Sequence, residues 1–472
     1  MSDEKDLKNR VVVTDETGEL VRVKTDAEIV KENEELEKAF KLGEAPKLDP
    51  EILKKLKTKQ DEKVEEKMKA VSVRDRSLYF GVVGLGQAGS RVAETFYKLG
   101  YEACVFNTAT QDLEHIDLPD NRKIYLPFAL GGAGKELDNG RQAVEQNGEV
   151  VLDRLNETFD ESQEMLILAV SGGGGTGSGG AEAMIGLMAS LGKPICVIYI
   201  LPLESEDSLS KHNSVSTLSR LAKLASTDVI TTLVVVDNAK INLIYPNLSK
   251  AEFWDVANNA IVEPLHLFNY LSAQPTRYDA LDAMDFGRIF TAGDCTIYGM
   301  IEVNDYMETT AIAEAVIENL ESGLLASDFN LSETRFGGYI VTGSAEVLMK
   351  LPATNIHYAS HVISEKCGSP QLVGGVYEIE SDEDCVRVYT MFSGLGLPAA
   401  RIESLKNEAK EQMAIIREKE KTRADRMMVD YGSGTETQTK AQEVHRLIQQ
   451  KKSGFGKLTS NAGSRIVDKR KR

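Results

Sequence analysis

Hydrophobic residues between positions 78 and 250 occur in short runs that are separated by segments of mixed polarity. The runs are LYFGVVG (78–84), EACVFNT (102–108), MLILAV (165–170), ICVIYIL (195–201) and TLVVVD (232–237). Nearly continuous apolar runs that alternate with helical patterning are typical of parallel strands covered by helices on both faces. Residues 78–250 are therefore predicted to form a Rossmann-like parallel-sheet domain of the α/β class.

The pattern changes after residue 250. Residues 251–275 have the spacing of a long central helix, which Pro264 is expected to interrupt. Residues 276–400 predict a second α+β domain with a four-stranded sheet, from strands at 297–303, 337–342, 371–379 and 385–393 and helices at about 305–321 and 356–366. A C-terminal helix at 401–430 and a flexible tail at 431–472 are expected to follow.

Charge distinguishes the two ends of the chain from its middle. Residues 1–77 are predicted to be a charged N-terminal extension with docked or transient helices, because half of residues 1–70 are charged. The net charge is −18, yet residues 440–472 contain ten Lys or Arg and two acids. An acidic chain is not expected to cover nucleic acid with its whole surface. The basic tail is therefore either a solubilising end or a docking arm for DNA or a DNA-bound adaptor.

The cysteines and the N-terminus bear on location. The five cysteines include no CxxC pair, no run of 18 apolar residues occurs, and MSDEKDLKNR has no apolar segment of the signal-peptide type. These features predict a soluble cytoplasmic protein of a reducing compartment, with no membrane partner.

Three glycine-rich segments follow apolar runs of the chain. SGGGGTGSGG (171–180) follows MLILAV, GLGQAG (84–89) follows the first strand, and GGAGK (131–135) follows IYLPFAL. Glycines at a strand-to-helix junction expose backbone N–H groups to phosphate oxygens, and the helix N-terminus adds its dipole. Thr176 and Ser178 offer hydroxyls to the same oxygens or to Mg²⁺. The three loops predict a nucleoside triphosphate site, with a flexible linker as the alternative for 171–180.

GLGQAG by itself also fits the dinucleotide-binding fingerprint. That class places an Asp or Glu at the end of the second strand to hold the ribose hydroxyls. The chain has Phe106-Asn107-Thr108 at this position, and it contains no GxxxxGK[ST] motif. A P-loop NTPase is therefore excluded, and an NAD-dependent oxidoreductase stays the lesser alternative.

These loops resemble those of the tubulin/FtsZ superfamily. GGGTGSG (173–179) resembles its signature loop, and GLGQAG, FNTATQDL (106–113) and GGAGKELDNGRQA (131–143) resemble its other phosphate loops. LPLESE (201–206), VVVDNAK (234–240) and WDVANNAI (254–261) resemble its sugar- and base-contacting segments. DNAK and the basic tail are most similar to the plasmid and phage branch, TubZ.

The resemblance implies that GTP or GDP binds with Mg²⁺ carried on the nucleotide. The residues that it implies for GTP binding are Gly84, Gly86, Gln87, Ala88, Gly89, Asn107, Thr108, Gly132, Ala133, Gly134, Lys135, Gly172, Gly173, Gly174, Gly175, Thr176, Gly177, Ser178, Glu206, Asn238, Trp254 and Asn259. Two of these have alternatives: Lys135 contacts the γ-phosphate or is a solvated loop lysine, and Trp254 stacks on the base or belongs to the core.

The resemblance further implies a catalytic loop at 276–290, in which Asp282 and Asp285 reach the nucleotide of the next subunit. Hydrolysis of GTP would then depend on head-to-tail assembly of the chain with itself into filaments. The apolar helix is expected to begin behind Asp285, and acids on an exposed loop are the alternative explanation. The implied role is DNA positioning in a bacterial or phage-infected cytoplasm. A tubulin-fold scaffold that does not hydrolyse nucleotide is the competing function.

Overall fold

The computed structural model describes residues 12–14, 20–22, 74–128, 131–244, 249–322, 325 and 328–427. The chain divides into two compact units, residues 1–66 and 67–472. In the first unit, strands β1 (Val12–Thr14) and β2 (Leu20–Arg22) pair as an antiparallel hairpin. The prediction for residues 1–77 overlooked this pair of strands, although both contain β-branched residues such as Val12, Val13 and Val21. The predicted helices of this extension and the tail 431–472 lie outside the described residues.

The second unit is built on one sheet of ten strands. These are β3 (Phe80–Leu85), β4 (Glu102–Asn107), β5 (Lys123–Tyr125), β6 (Met165–Ser171), β7 (Ile195–Leu201), β8 (Thr232–Asp237), β9 (Cys295–Val303), β10 (Phe336–Gly343), β11 (Gln371–Glu378) and β12 (Val386–Leu395). Their order is β11-β10-β12-β9-β8-β7-β6-β3-β4-β5. Strands β3 to β8 run parallel, and β12 is antiparallel to both of its neighbours. The predicted α/β fold with a parallel sheet is confirmed.

The four strands predicted for the second domain continue this sheet. Strand β9 joins β8 through one parallel pair, Leu233 with Cys295, so the four-stranded part and the parallel part form one continuous sheet. Strands β6, β7 and β8 of the parallel part are buried along almost their whole length, which explains their nearly continuous apolar sequences. All five cysteines are buried and unpaired; Cys104, Cys196 and Cys295 lie in β4, β7 and β9, where a free cysteine packs as a small apolar side chain.

Thirteen helices are present among the residues that the structure describes. They are α1 (Gly86–Lys98), α2 (Thr110–Glu114), α3 (Leu137–Gln146), α4 (Gly148–Thr158), α5 (Thr176–Ala189), α6 (Ser208–Ala225), α7 (Asn238–Ile244), α8 (Lys250–Leu271), α9 (Ala283–Phe290), α10 (Ala311–Ser322), α11 (Ala345–Lys350), α12 (Ala353–Lys366) and α13 (Ala399–Met427). Within the described ranges, none of them has the length and apolar character needed to span a membrane.

Helix α8 runs from the carboxyl edge of the parallel strands to their amino edge. It starts with a capping box between Ser249 and Glu252 and continues through Pro264, where an interruption was expected. Its apolar face, which includes Val262 and Leu265, is fully buried, and this packing compensates for the backbone hydrogen bond that proline removes. With 22 residues, the helix is about 33 Å long at 1.5 Å per residue.

The end of α8 lies where the parallel strands begin. The N–H of Ser77, just before β3, donates to the carbonyl of Asn269 at 3.0 Å. Helix α9 ends at this same amino edge: the centroids of the Phe290 and Phe80 rings are 5.5 Å apart, and the hydroxyl of Thr232, the first residue of β8, donates to the Phe290 carbonyl. The glycine-rich loops leave the opposite, carboxyl edge of the sheet.

Candidate nucleotide site

Five separate segments meet at the carboxyl edge of the parallel strands. An ideal Cβ on Gly86 would lie 3.1 Å from the backbone nitrogen of Gly177, so the first loop touches the signature loop. The N–H of Gly132 donates to the carbonyl of Thr108 at 2.8 Å. On the other side, a Cβ on Gly173 would lie 2.5 Å from Oε2 of Glu206. The loops after β3, β4, β6 and β7 and the segment 131–135 therefore surround one site, as the sequence predicted.

The glycines of this site serve two different purposes. A Cβ on Gly89, Gly140 or Gly179 would collide with a backbone carbonyl of a neighbouring segment, so these glycines allow the segments to pack closely. Gly132 and Gly134 have positive φ angles of 79° and 62° and face open space. Bare backbone beside open space is the arrangement that lets N–H groups approach phosphate oxygens, so this cradle fits a nucleotide.

Gln87 and Asn107 are tied together by a carboxylate that sequence reasoning overlooked. Asp112 accepts hydrogen bonds from Nε2 of Gln87 at 3.1 Å and from Nδ2 of Asn107 at 3.0 Å. Oδ1 of Asn107 accepts from the N–H of Ala109 at 3.2 Å. An Asn amide has two N–H donors, so Asn107 keeps one of them for a ligand. Asp112 fixes the orientation of both amides.

The hydroxyls of the signature loop have protein partners. Thr176 and Thr108 share a buried hydrogen bond of 2.6 Å between their hydroxyls, which joins the second loop to the signature loop. Ser178 donates its hydroxyl to the carbonyl of Gly174. A hydroxyl has a single proton to donate. Ser178 therefore reaches a phosphate oxygen only by giving up this internal bond, whereas the threonine pair retains one free proton.

Lys135 bridges two loops of the site. Its ammonium donates to Oδ2 of Asp207 at 2.5 Å and to the hydroxyl of Ser210 at 2.8 Å. The hydrogen bond from Lys135 is the main reason that the pKa of Asp207 lies below its usual value. Asp207 also caps helix α6 by accepting from the N–H of Ser210 at 2.9 Å, and Asn213 donates to the Lys135 carbonyl at 2.7 Å.

Glu206, Asn238 and Trp254 are residues expected at the nucleoside, and they belong to three different segments of the chain. Glu206 accepts from the N–H of Leu203 at 3.0 Å, and Asn238 is a buried residue at the start of α7. Trp254 is half-buried, and the guanidinium of Arg91 lies 5.3 Å from its ring centroid. Trp254 therefore packs against α1 rather than in the centre of the core.

Asn259 is exposed, and it borders a cavity on α8. It lines a cavity of about 230 Å³ together with Glu263, Met300 and Tyr389. Met300 and Tyr389 belong to strands β9 and β12. None of the hydrogen bonds or contacts described above connects Asn259 to the glycine loops, so its contact with guanine stays a prediction from the resemblance.

Asp282 and Asp285 lie at the start of α9, the helix whose last residue, Phe290, is at the amino edge of the parallel strands. They cap each other at the start of α9: Asp282 accepts from the N–H of Asp285 at 3.0 Å, and Asp285 accepts from the N–H of Asp282 at 3.3 Å. The helix begins at Ala283, so the expectation that it starts behind Asp285 was wrong. A carboxylate three residues after an Asp N-cap completes a capping box, and this local bonding draws the helix start forward.

Sequence reasoning also overlooked Asp207, Ser210 and Asn213, which hold Lys135 in place. An Asp followed by the first residues of a helix is an N-cap signal, and this signal could have identified Asp207. The contacts of Ser210 and Asn213 with a loop more than 70 residues away have no counterpart in the local sequence.

Comparison with known proteins agrees with this geometry. Residues 80–246 match the family described as Tubulin/FtsZ family, GTPase domain. This part of the chain is a Tubulin/FtsZ-family GTPase domain, which confirms the family resemblance of its loops.

Two relatives by sequence illustrate the range of the similarity. The Tubulin-like protein CetZ of Pyrococcus horikoshii is 26% identical over 322 residues, which cover 66% of this chain and 85% of that protein. Cell division protein FtsZ 2 of Methanocaldococcus jannaschii is 24% identical over 322 residues, covering 67% of this chain and 80% of that protein.

Solved structures share the fold. A GTPγS-form protofilament of Bacillus thuringiensis serovar israelensis TubZ has a TM-score of 0.64 and 19% identity, and it covers 75% of this chain and 96% of that one. A GTPγS-bound protofilament of CetZ2 from Haloferax volcanii has a TM-score of 0.61 and 20% identity, with coverage of 72% and 100%. The chain thus shares its fold with both TubZ and CetZ structures.

Proposed function

We propose that this protein binds GTP at the carboxyl edge of its parallel sheet and hydrolyses it when copies assemble head to tail. The observation that carries the proposal is the separation of two groups of residues. The glycine loops lie at the carboxyl edge, and Asp282 and Asp285 lie at the amino edge, beyond a helix of about 33 Å. The proposal therefore places the reaction between two copies, with the carboxylates of one copy acting on the phosphate bound by the other.

The chemistry follows from this division. A carboxylate of the neighbouring copy orients or deprotonates the water that attacks the γ-phosphate. Backbone N–H groups of the glycine loops stabilise the charge that develops on the phosphate oxygens, and Mg²⁺ bound to the phosphates would neutralise part of it. Residues 78–250 serve as the nucleotide-binding domain in this scheme, and 276–400 serve as the domain that contributes the catalytic loop. A head-to-tail contact of this kind is heterologous, so it produces filaments.

Release of phosphate at increasing protein concentration tests the proposal. The rate per subunit is expected to rise above a critical concentration, in parallel with the amount of protein that sediments with GTP. With GDP in place of GTP, the sedimented fraction should fall. A rate per subunit that is independent of concentration would contradict assembly-dependent hydrolysis.

Lys135 is proposed to contact the γ-phosphate. Its ammonium already lies between two loops of the site, and its side chain is 44% exposed, so a phosphate oxygen competes with Asp207 for the ammonium. Lys135→Gln is expected to weaken GTP binding by about 10- to 100-fold, as for the loss of a charge-assisted hydrogen bond, with little change for GDP. Competition of GTP and GDP against a fluorescent GDP analogue measures both affinities.

Lys98→Gln is the matched control, because Lys98 is an exposed lysine that pairs with Glu94 at the far end of α1. Equal losses for GTP and GDP in Lys135→Gln would assign Lys135 to the structure of the loop and not to the γ-phosphate.

The cellular role proposed here is the movement or positioning of DNA. It is supported by the ten cationic residues of 440–472 and by the shared fold with a structure described as type III plasmid segregation TubZ. Sedimentation of filaments with DNA, with and without residues 440–472, tests it at two salt concentrations. DNA that fails to sediment with the full-length filaments, without an added adaptor, would exclude direct binding.

One observation favours the alternative function, a tubulin-fold scaffold that does not hydrolyse nucleotide. The capping box between Asp282 and Asp285 accounts for both carboxylates without any catalytic role. The dinucleotide alternative is not carried forward, because the family match of residues 80–246 is to a GTPase domain.

A further inference from the structure

The C-terminal helix is attached to the nucleotide-binding domain by a chain of four charges. Arg401 donates from Nε to Oδ2 of Asp237 at 2.6 Å and from Nη1 to Oε1 of Glu408 at 3.0 Å. Oε2 of Glu408 lies 2.9 Å from the ammonium of Lys211. The side chains of Asp237 and Lys211 are each only 2% exposed. Charges that are buried to this degree are strongly disfavoured unless they are paired, as they are here.

Each end of this charge chain holds a segment that leads to the candidate nucleoside site. Asp237 is the last residue of β8, and its Oδ1 also accepts from the N–H of Ala239 at 3.1 Å, so it fixes the turn that contains Asn238. Lys211 donates to the carbonyl of Glu204 at 2.8 Å, two residues before Glu206. Both segments are distant from α13 in the sequence. Two residues of α13, Arg401 and Glu408, nevertheless supply the charges that lie between them.

Packing and protonation both keep this attachment in place. Leu405 and Ala409 of α13 are buried, whereas the helix is exposed from Ala414 to Glu420. Burial acts to raise the pKa of Glu408, but hydrogen bonds from Lys211 and Ser404 and the charges of Lys211 and Arg401 outweigh it, so the pKa of Glu408 lies below its usual value. Residues 399–409 are thus the attached part of the helix, with Glu408 ionised.

We propose that α13 positions the nucleoside-binding segments 202–206 and 237–238, and that Arg401 is the positioning residue through which it acts. The proposal rests on the proposed function, since it concerns the same site. We expect α13 to affect the contacts with the sugar and base of the nucleotide, because the charge chain does not touch the phosphate loops 84–89 or 131–135. Losing Arg401 should therefore weaken the binding of GTP and GDP by the same factor.

Arg401→Met tests this in the full-length protein. The variant keeps the length and apolar stem of the side chain and removes the guanidinium that Asp237 and Glu408 share. We expect its affinity for fluorescent GTP and GDP analogues to fall by roughly tenfold for both, a modest part of the effect of breaking a buried ion pair. Hydrogen exchange of backbone amides in 202–207 and 238–241 should become faster. Both measurements are made at a temperature where circular dichroism shows the variant to be folded.

Three further variants sharpen the test. Arg401→Lys keeps the charge and should recover part of the affinity. Glu408→Gln, which keeps Arg401 beside Asp237, should give a smaller loss in the same direction and replaces Arg401→Met if that variant does not fold. Arg417→Gln is the matched control, because Arg417 lies on the exposed part of the same helix; it should bind and exchange as the wild type does.

Two results would overturn the proposal. One is wild-type affinity together with wild-type exchange rates in Arg401→Met, and the other is a loss confined to GTP. If the wild-type protein binds neither guanine nucleotide, the proposed function fails. The exchange rates of 202–207 and 238–241 then still decide whether α13 holds these segments.

Discussion

Replacing Asp282 by Ser and Asp285 by Asn together is expected to lower GTP hydrolysis by about 10²- to 10⁴-fold, the usual contribution of general acid–base catalysis. Nucleotide binding and filament formation should persist. Ser is as good an N-cap as Asp, and Asn retains an acceptor oxygen at position 285, so α9 keeps its start. The pair of substitutions removes the two carboxylates and leaves the cap. Phosphate release above the critical concentration, with sedimentation in parallel, measures the effect.

Asp279→Asn is the control for this experiment. Asp279 is an exposed acid of the same loop, and its backbone carbonyl accepts from the N–H of Val376 at 2.8 Å. This substitution changes the charge of the loop by one without touching the capping box, and hydrolysis should stay near the wild-type rate.

The outcome separates the two functions that the site allows. Loss of turnover in filaments that still form supports a catalytic site divided between two copies. Wild-type turnover in the double variant would show that the two carboxylates serve only as caps and that the base lies elsewhere. Absence of turnover in the wild type, with filaments present, would support the scaffold.

Gly140→Ala is expected to reduce the affinity for both guanine nucleotides by about 5- to 150-fold, corresponding to an overpacking strain of about 1–3 kcal/mol. The new methyl group would collide with the carbonyl oxygen of Gly175 and lie 3.1 Å from the Cα of Gly179. All of these atoms belong to backbone, so α3 or the signature loop has to move. A titration with a fluorescent GDP analogue measures the affinity, and thermal unfolding measures the accompanying loss of stability.

Gly186→Ala provides the comparison on the helix that follows the signature loop. A Cβ at Gly186 has nothing within 4 Å, and alanine in a helix interior is about 1 kcal/mol more favourable than glycine. This variant should bind nucleotide normally and unfold at a slightly higher temperature. Normal binding by Gly140→Ala as well would mean that the contact between α3 and the signature loop does not shape the site.

The sequence was sufficient for the strands and the phosphate-binding loops because their signals are local. Buried parallel strands have continuous apolar sequences, and glycines mark the junctions after them, so β3, β4, β6, β7 and β8 were all found. The start of α9 was predicted too late because a capping box can extend a helix by a turn. The β1–β2 hairpin was overlooked because the charged residues around it dominate the composition.

Other features depend on residues that are distant in the chain. Three sets of contacts could not be predicted from sequence spacing: Lys135 with Asp207, Asp112 with the amides of Gln87 and Asn107, and Arg401 with Asp237. The continuity of the sheet depends on one pair, Leu233 with Cys295. Hydrogen-bond partners of this kind are selected by the position of whole elements, so they become visible only once the chain is folded.

The sequence by itself thus determined the class of fold, the family of its GTPase domain and the loops at which a nucleotide is expected. The tertiary structure decided which side chains hold those loops, and it placed the end of α9, the helix that follows Asp282, at the opposite edge of the parallel strands. The physical reason is one of range: apolar periodicity and glycine placement act over a few residues. Ion pairs, carbonyl contacts and the direction of a long helix are fixed only by packing between distant segments.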